Sequence, residues 1–263
     1  MGCGNLNPID IPLRDPGFAN LTSNIVPGMD AAGVIESVGP GVSRLHPGQK
    51  VIAAVNKIGA CAKETPTGIG TTEAAGTTMM TGLTALNALE IAALKKGQIL
   101  AVSGGAGLLA QYAIAAAKRQ GIKVIADAKP ADAEMVRGYG ANIVVERGPG
   151  FAKAIRRELP NGVDALLDTA SLGEESFAAI RDGGIYIPVR GWGDKPAERG
   201  IKIKPMTVSD VLERTEWLEL LRNMVASGEI KLRVVEEYAP TKAADAQRAL
   251  VAGSPRGRPV ILF

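Results

Sequence analysis

Residues 101 to 110 read AVSGGAGLLA, and their glycines are the first place where residue type and spacing suggest chemistry. The frame Gly105-x-Gly107-x-x-Ala110 fits the dinucleotide-binding pattern G-x-G-x-x-G/A. In that pattern the first glycine makes a tight turn and the second lets the backbone approach a diphosphate. The helix that follows offers unpaired N–H groups and a partial positive charge to the anion. Glycines between a strand and a helix also serve as a plain sharp turn, so the surroundings must separate the two uses. The run ILAVS ahead of them reads as a strand, and alanine-rich Leu108 to Gln120 reads as a helix closed by Gly121. The next strand, IKVIAD, ends in Asp127, about where a ribose-binding acid stands. With this context the stretch Ser103, Gly104, Gly105, Ala106, Gly107 and Leu108 is a candidate phosphate cradle.

Other candidates follow from position. Thr169 and Ala170 come after VDALLD, and Val189, Arg190 and Gly191 come after IYIP. Both groups fall at carboxyl ends of expected parallel strands, where open α/β sheets bind ligands. Cofactor choice turns on Asp127-Ala128-Lys129. An acid on the ribose favours NADH, whereas Lys129 offers a cation for the 2′-phosphate of NADPH; NADPH is the expectation, with NADH as the alternative. Metal chemistry is poorly supplied: the chain has one histidine, His46, in the turn-rich SRLHPGQK, and two cysteines, Cys3 and Cys61. There is no CxxC or HExxH spacing, so no metal ligands are assigned. The two cysteines suit a reducing compartment.

The elements that must hold these residues fall into two patterns. From about residue 98 to 190 short apolar runs alternate with amphipathic segments, ESFAAIRDG being the last helical one before the strand IYIPVR. That alternation predicts a doubly wound parallel sheet with helices on both faces. Before it, GVIESVG (33–39) and KVIAAV (50–55) are separated by turn formers and predict antiparallel strands. Residues 57–75 are mostly turn formers with no clear period, and SDVLERTEWLELLRNMVASG (209–228) predicts one long amphipathic helix. KLRVVEEY and RPVILF are further strands. At 263 residues with 46% hydrophobic and 22% charged residues, the chain can build a sizeable core. A net charge of +3 with scattered signs argues against a nucleic-acid surface, and no apolar run reaches the roughly 20 residues of a membrane span. The opening MGCGNLNPID has no secretory pattern and matches a myristoylation signal only in part. The expected setting is cytoplasmic.

Several separated stretches together resemble the medium-chain dehydrogenase/reductase superfamily. They are NLNPIDIPLR (5–14), PGMDAAGVIESVGPGVSRLHPGQKV (27–51), AAGTTMMTGLTALNAL (74–89), AVSGGAGLLAQYAIAAAKRQG (101–121), YGANIVV (139–145) and the terminal GRPVILF. The nearest branch is the zinc-free quinone oxidoreductase, or zeta-crystallin-like, type. Zinc-dependent members carry a His-Glu pair where this chain has Met29–Asp30. The resemblance implies an α/β fold in which a Rossmann domain (78–231) interrupts a partial GroES-like barrel (1–77 and 232–263). It implies hydride transfer from NAD(P)H to a quinone or an α,β-unsaturated carbonyl, with the cofactor carrying the reaction.

By the same resemblance Asn7 lines the substrate end, although an Asn-Pro turn start explains it equally. Thr84, with Thr81, faces the cofactor, although capping of a helix start explains Thr81 as well. Tyr112 is expected as packing and Cys61 as a buried, inert thiol. Two shortenings, before residue 5 and between Ala54 and Ala75, both thin the barrel. They leave a second possibility open, a nucleotide-binding protein without turnover that acts as a sensor or interaction module. A homodimer paired through sheet edges is expected, with IKIKPM (201–206) as one candidate strand.

Overall fold

A computed structural model describes residues 3–11, 28–55, 60–64, 78–193, 196–253 and 256–263. The chain divides into two compact units, one of residues 1–81 and 212–263 and one of residues 82–211.

The first unit opens with β1 (Cys3–Asn5), β2 (Asp30–Val34), β3 (Lys50–Val55) and β4 (Ala60–Glu64), each antiparallel to the next. The expected strand over 33–39 instead starts at Asp30 and ends at Val34, and only a pair of hydrogen bonds between Ile35 and residues 48–49 continues it. Strand β4 lies in the stretch expected to have no period. Its pairing from Val51↔Glu64 to Val55↔Ala60 supplies the order that local sequence does not. Residues 65–75 of that stretch, and 12–14 of the Asn-Pro segment, lie outside the described residues, as does the side chain of Cys61. His46 sits exposed in a turn, its N–H donating to Gln49 Oε1 at 2.7 Å.

Helix α1 (Met79–Ala92) begins in the first unit and continues into the second. The second unit then alternates as expected: β5 (Ile99–Ser103), α2 (Leu108–Arg119), β6 (Lys123–Ala128), α3 (Ala133–Tyr139), β7 (Ile143–Glu146), α4 (Phe151–Glu158) and β8 (Val163–Asp168). A 3-10 segment, Gly173–Ala179, leads to β9 (Ile180–Pro188), and β10 (Lys202–Ile203) ends the sheet. All neighbours are parallel, in the order β10-β9-β8-β5-β6-β7. The chain therefore winds one way from β5 to β7 and the other way from β8 to β10, and the reversal falls between β5 and β8. Small side chains let α2 lie close on the sheet. Ala110, Ala113, Ala115, Ala116 and Ala117 are buried, and Tyr112 is buried with them as expected of packing.

Two expectations fail for tertiary reasons. ESFAAIRDG has helix-forming composition but becomes the 3-10 segment plus the start of β9. Its ends are pinned, because Gly173 N donates to Asp168 Oδ2 and Ile180 pairs with Val163, and the segment between these fixed points takes the tighter 3-10 form. The long helix over 209–228 is broken into a 3-10 turn, Val208–Val211, and α5 (Thr215–Ala226). Arg214, the N-cap of α5, has φ −73° and ψ 77°, so the chain leaves the helical path there. The break also falls where the second unit ends, so α5 belongs to the first unit.

Strand β11 (Val234–Tyr238), α6 (Ala243–Val251) and β12 (Arg258–Leu262) complete the first unit. The described strands run β11-β12-β1-β2-β3-β4, with β12 antiparallel to β1 and parallel to β11. Helix α6 seats Ala246 against Leu6 and Ile261. In the second unit Ile155, Phe177, Ile180 and Tyr186 pack on Ala101 and Leu166 of the sheet. Ile155 is fully buried there, so Ile155→Ala is expected to cost about 2–5 kcal/mol. A lower urea midpoint, with the far-ultraviolet spectrum of the folded state unchanged, would be the measurement.

Candidate functional site

The carboxyl ends of β5, β6, β8 and β9 gather most of the candidates. Gly104 follows Ser103 with φ +68°, a backbone that L side chains rarely adopt. A Cβ on Gly105 would lie 2.6 Å from the Asp127 carbonyl oxygen and 2.9 Å from the Ala126 Cβ, so only glycine lets the loop press on β6. Gly107 N donates to Gly104 O at 2.8 Å, closing the turn. Gly107 is exposed and serves as the N-cap of α2 without a side-chain cap bond. The first N–H groups of α2 therefore lack the side-chain acceptor that caps most helices, and they carry the positive end of the helix dipole. This is the geometry an anionic diphosphate needs, and a glycine loop leaves room for it.

Asp127 is turned into the loop. Its Oδ1 accepts from Gly104 N at 2.5 Å and Gly105 N at 3.2 Å, while its carbonyl also accepts from Gly105 N at 3.0 Å. Burial pushes its carboxyl above the usual range, against the lowering effect of Gly105, Arg147 and Gly104. Lys129, two residues on, is exposed.

Beside the loop lies a second acid that sequence reasoning did not single out. Asp168 ends β8 directly opposite Ser103, at the point where the winding reverses. Its carboxylate accepts from Ser103 Oγ (2.6 Å), Tyr186 OH (2.7 Å) and Gly173 N (2.9 Å). Ser103 in turn accepts from Ala170 N through Oγ (3.0 Å) and from Thr169 Oγ1 through its carbonyl (2.5 Å). Val189 N reaches the Asp168 carbonyl at 3.4 Å, and Arg190 beyond it is exposed. Burial, and then the bond to Asp168, push the Tyr186 hydroxyl far above its ordinary value, so it stays a donor. The available signal was a carboxylate ending an apolar strand run, where burial demands partners. Thus Ser103, Gly104, Gly105, Asp127 and Thr169 are joined by hydrogen bonds, and Leu108, Val189, Lys129 and Arg190 border them.

Asn7 belongs to the first unit and is buried in a different network. Its Nδ2 donates to Asp30 Oδ2 (2.7 Å) and its N–H to Asp10 Oδ2 (2.7 Å), and Gly28 N donates to Asp10 Oδ1 (3.0 Å). Asp30 Oδ1 accepts from Met80 N at 2.9 Å, so a strand residue caps the first turn of α1. Thr81 lies in that same turn, buried, with its hydroxyl unpartnered; Thr84, one turn on, is half-buried. Desolvation pushes the Asp30 carboxyl up to about 6, with Asn7, Met80 and Arg258 opposing and Asp10 assisting.

A βαβ-wound sheet with a glycine loop and an uncapped helix at its reversal point defines a nucleotide-binding Rossmann-type unit. Comparison with known proteins carries this further. The alcohol dehydrogenase GroES-like domain matches residues 2–125, and the zinc-binding dehydrogenase domain matches residues 139–261. The chain belongs to the medium-chain dehydrogenase/reductase superfamily. It is 27% identical to the chloroplastic NADPH-dependent alkenal/one oxidoreductase of Arabidopsis thaliana, over 97% of this chain and 69% of that one. It is also 27% identical to the chloroplast envelope quinone oxidoreductase homolog of the same plant, over 98% of this chain and 86% of that one. An alcohol dehydrogenase superfamily structure from Novosphingobium aromaticivorans shares the fold with a TM-score of 0.86 at 22% identity, covering 100% of this chain and 90% of that chain. This pattern of relatives is consistent with the zinc-free quinone oxidoreductase branch. Among the described residues no group of three or more His, Cys, Asp or Glu could hold a metal, and no helix is long and apolar enough to cross a membrane.

Two outcomes are expected. Gly105→Ala should cost about 1–3 kcal/mol by overpacking against β6, read as a fall in the thermal midpoint. For Asp30, a folded value of about 6 against an ordinary 3.8 means that the folded state favours the protonated form. Its stabilising contribution is full below about pH 4 and lost as pH rises to about 6. Asp30→Asn removes this dependence, so the stability of wild type relative to the variant should fall by about 2 kcal/mol between pH 4 and 7. Denaturant titrations across that range would measure it.

Proposed function

We propose that this chain is a zinc-independent oxidoreductase that uses NADPH to reduce an α,β-unsaturated carbonyl or a quinone. The observation that carries the reading is the uncapped N-terminus of α2 behind Gly104–Gly107, at the reversal point of the parallel sheet. A family membership that runs along nearly the whole chain, with alkenal/one and quinone oxidoreductases among the relatives, supports it.

When bound, the cofactor supplies a hydride to the β-carbon of an enone or to a quinone carbonyl system. The chain's own residues bind and orient. The amides at the start of α2 take the diphosphate, and the exposed Gly107, with no side chain, lets it approach, while Gly105 lets the loop pack on β6. Ser103 and Val189 are tied to Asp168, and Thr169 to the Ser103 carbonyl, which keeps the cradle shaped before the ligand arrives. Lys129 and Arg190, both exposed after strand ends, are the proposed phosphate-binding cations, with exposed Arg147 beside the end of β6, and such cations favour NADPH over NADH. Asn7 and Thr84 are the proposed substrate-side residues. With no side-chain acid assigned, the proton that completes reduction comes from solvent. The catalytic domain of the proposal is 1–77 with 232–263, and the cofactor domain is 78–231. A homodimer through the edge strand β10 and a cytoplasmic setting belong to the same reading, supported by the position of Lys202–Ile203 at the sheet edge and by the low cysteine count.

The test is direct. Purified protein titrated with NADPH and then NADH should show fluorescence changes with at least tenfold tighter NADPH binding. Adding a simple enal or quinone should then oxidise NADPH, followed by loss of its near-ultraviolet absorbance. Absence of binding by either dinucleotide would end the reading.

A further inference from the structure

Asp127 stands where an acid would grip the adenosine ribose, yet its side chain is committed elsewhere. One carboxylate oxygen accepts from two successive amides, Gly104 N and Gly105 N, and Gly104 carries the positive φ that makes such consecutive amides converge. Converging amides of this kind form an anion-binding concavity. Here the anion is supplied by the chain itself. Residue 127 holds the loop a third time through its carbonyl, which accepts from Gly105 N. Gly104 and Gly105 are buried, and Asp127 is only 3% exposed. Swinging the carboxylate out to a ribose would therefore strip the buried Gly104 N–H of its acceptor and leave Gly105 N–H with the Asp127 carbonyl alone, a change that burial penalises. The group at this strand end that does face solvent is Lys129.

We propose that Asp127 is a positioning residue: its carboxylate holds the glycine loop in its binding shape and takes no part in choosing between NADPH and NADH. This inference rests on the proposed cofactor use, and it also makes a claim about the loop that stands without any cofactor. The Gly104 and Gly105 amides are already occupied, so the diphosphate is left to the first amides of α2.

The experiment compares wild type with Asp127→Ala and Asp127→Asn. Amide hydrogen exchange by NMR on the ligand-free proteins reads the loop. Equilibrium titrations with NADPH and NADH read affinity. Loss of the acceptor in Asp127→Ala should speed exchange at Gly104 at least tenfold, with a smaller effect at Gly105, whose N–H keeps the main-chain carbonyl of residue 127. It should also weaken both dinucleotides together, with the NADPH-to-NADH affinity ratio within threefold of wild type. Asparagine keeps an acceptor oxygen, so Asp127→Asn should restore slow exchange and most of the affinity. Unchanged exchange at Gly104 in Asp127→Ala overturns the proposal, as does a ratio that moves more than threefold in either variant.

Should the alanine variant fail to fold, Asp127→Asn alone decides. It removes the negative charge, so a ribose-facing acid would shift the ratio towards NADPH, whereas a positioning residue leaves it in place. If wild type binds neither dinucleotide, the cofactor reading falls, and the exchange rates still decide whether Asp127 holds the loop.

Discussion

A carboxylate removed from water must be given donors, and four buried acids impose that requirement on this chain. Asp10, Asp30, Asp127 and Asp168 are each nearly or fully buried. Each accepts at least one backbone N–H, from Gly28, Met80, Gly104 with Gly105, and Gly173 respectively, and Asp30 and Asp168 add side-chain donors from other elements. Such bonds are charge-assisted and stronger than neutral ones, and leaving either side unpaired is expensive. They therefore act as fixed points for the chain reversals around the sites, where glycine-rich loops have little side-chain packing of their own. The mutual arrangement of β5, β8 and β9 at the winding reversal is written in the three donors of Asp168.

The same requirement separates what could be read from the sequence from what could not. Alternating apolar runs announced β5 to β9, and the glycine frame announced the loop, because both depend on local composition. Strand β4 was hidden, because ACAKE has no period of its own and becomes a strand only against β3. The stretch after Asp168 read as helix for the opposite reason: its composition is helical, but Gly173 and Ile180 are held at both ends. Of the site, the cradle residues were legible by spacing. Asp168 was not, because its role depends on a hydroxyl from β5 and another from β9 arriving at one point. Asp127 was legible by position, yet its side-chain direction follows from how far Gly105 presses on β6, which no single-sequence pattern carries.

The Met29–Asp30 pair shows how a position can outlive the chemistry of its relatives. Where zinc-dependent members resembling this chain hold a His-Glu pair, methionine removes the nitrogen ligand and an acid remains. That acid bonds Asn7 and the first turn of α1, so it joins β2 to a helix that continues into the second unit. Its elevated carboxyl shows that these bonds do not fully offset its desolvation. The acid serves as a structural joint between β2 and α1.

The placing of β12 between β1 and β11 has a consequence for biosynthesis. A chain that emerges from the ribosome amino end first has β1 exposed long before its antiparallel partner, residues 258–262, exists. At about 5–20 residues per second that interval is on the order of ten to fifty seconds. The unit of 82–211 is continuous in sequence and is complete well within it. The nascent chain thus passes through a stage in which the nucleotide-binding half can already be folded while the first strands wait with an open edge. Whatever guards β1 during translation acts before residues 258–262, its antiparallel partner, have been made.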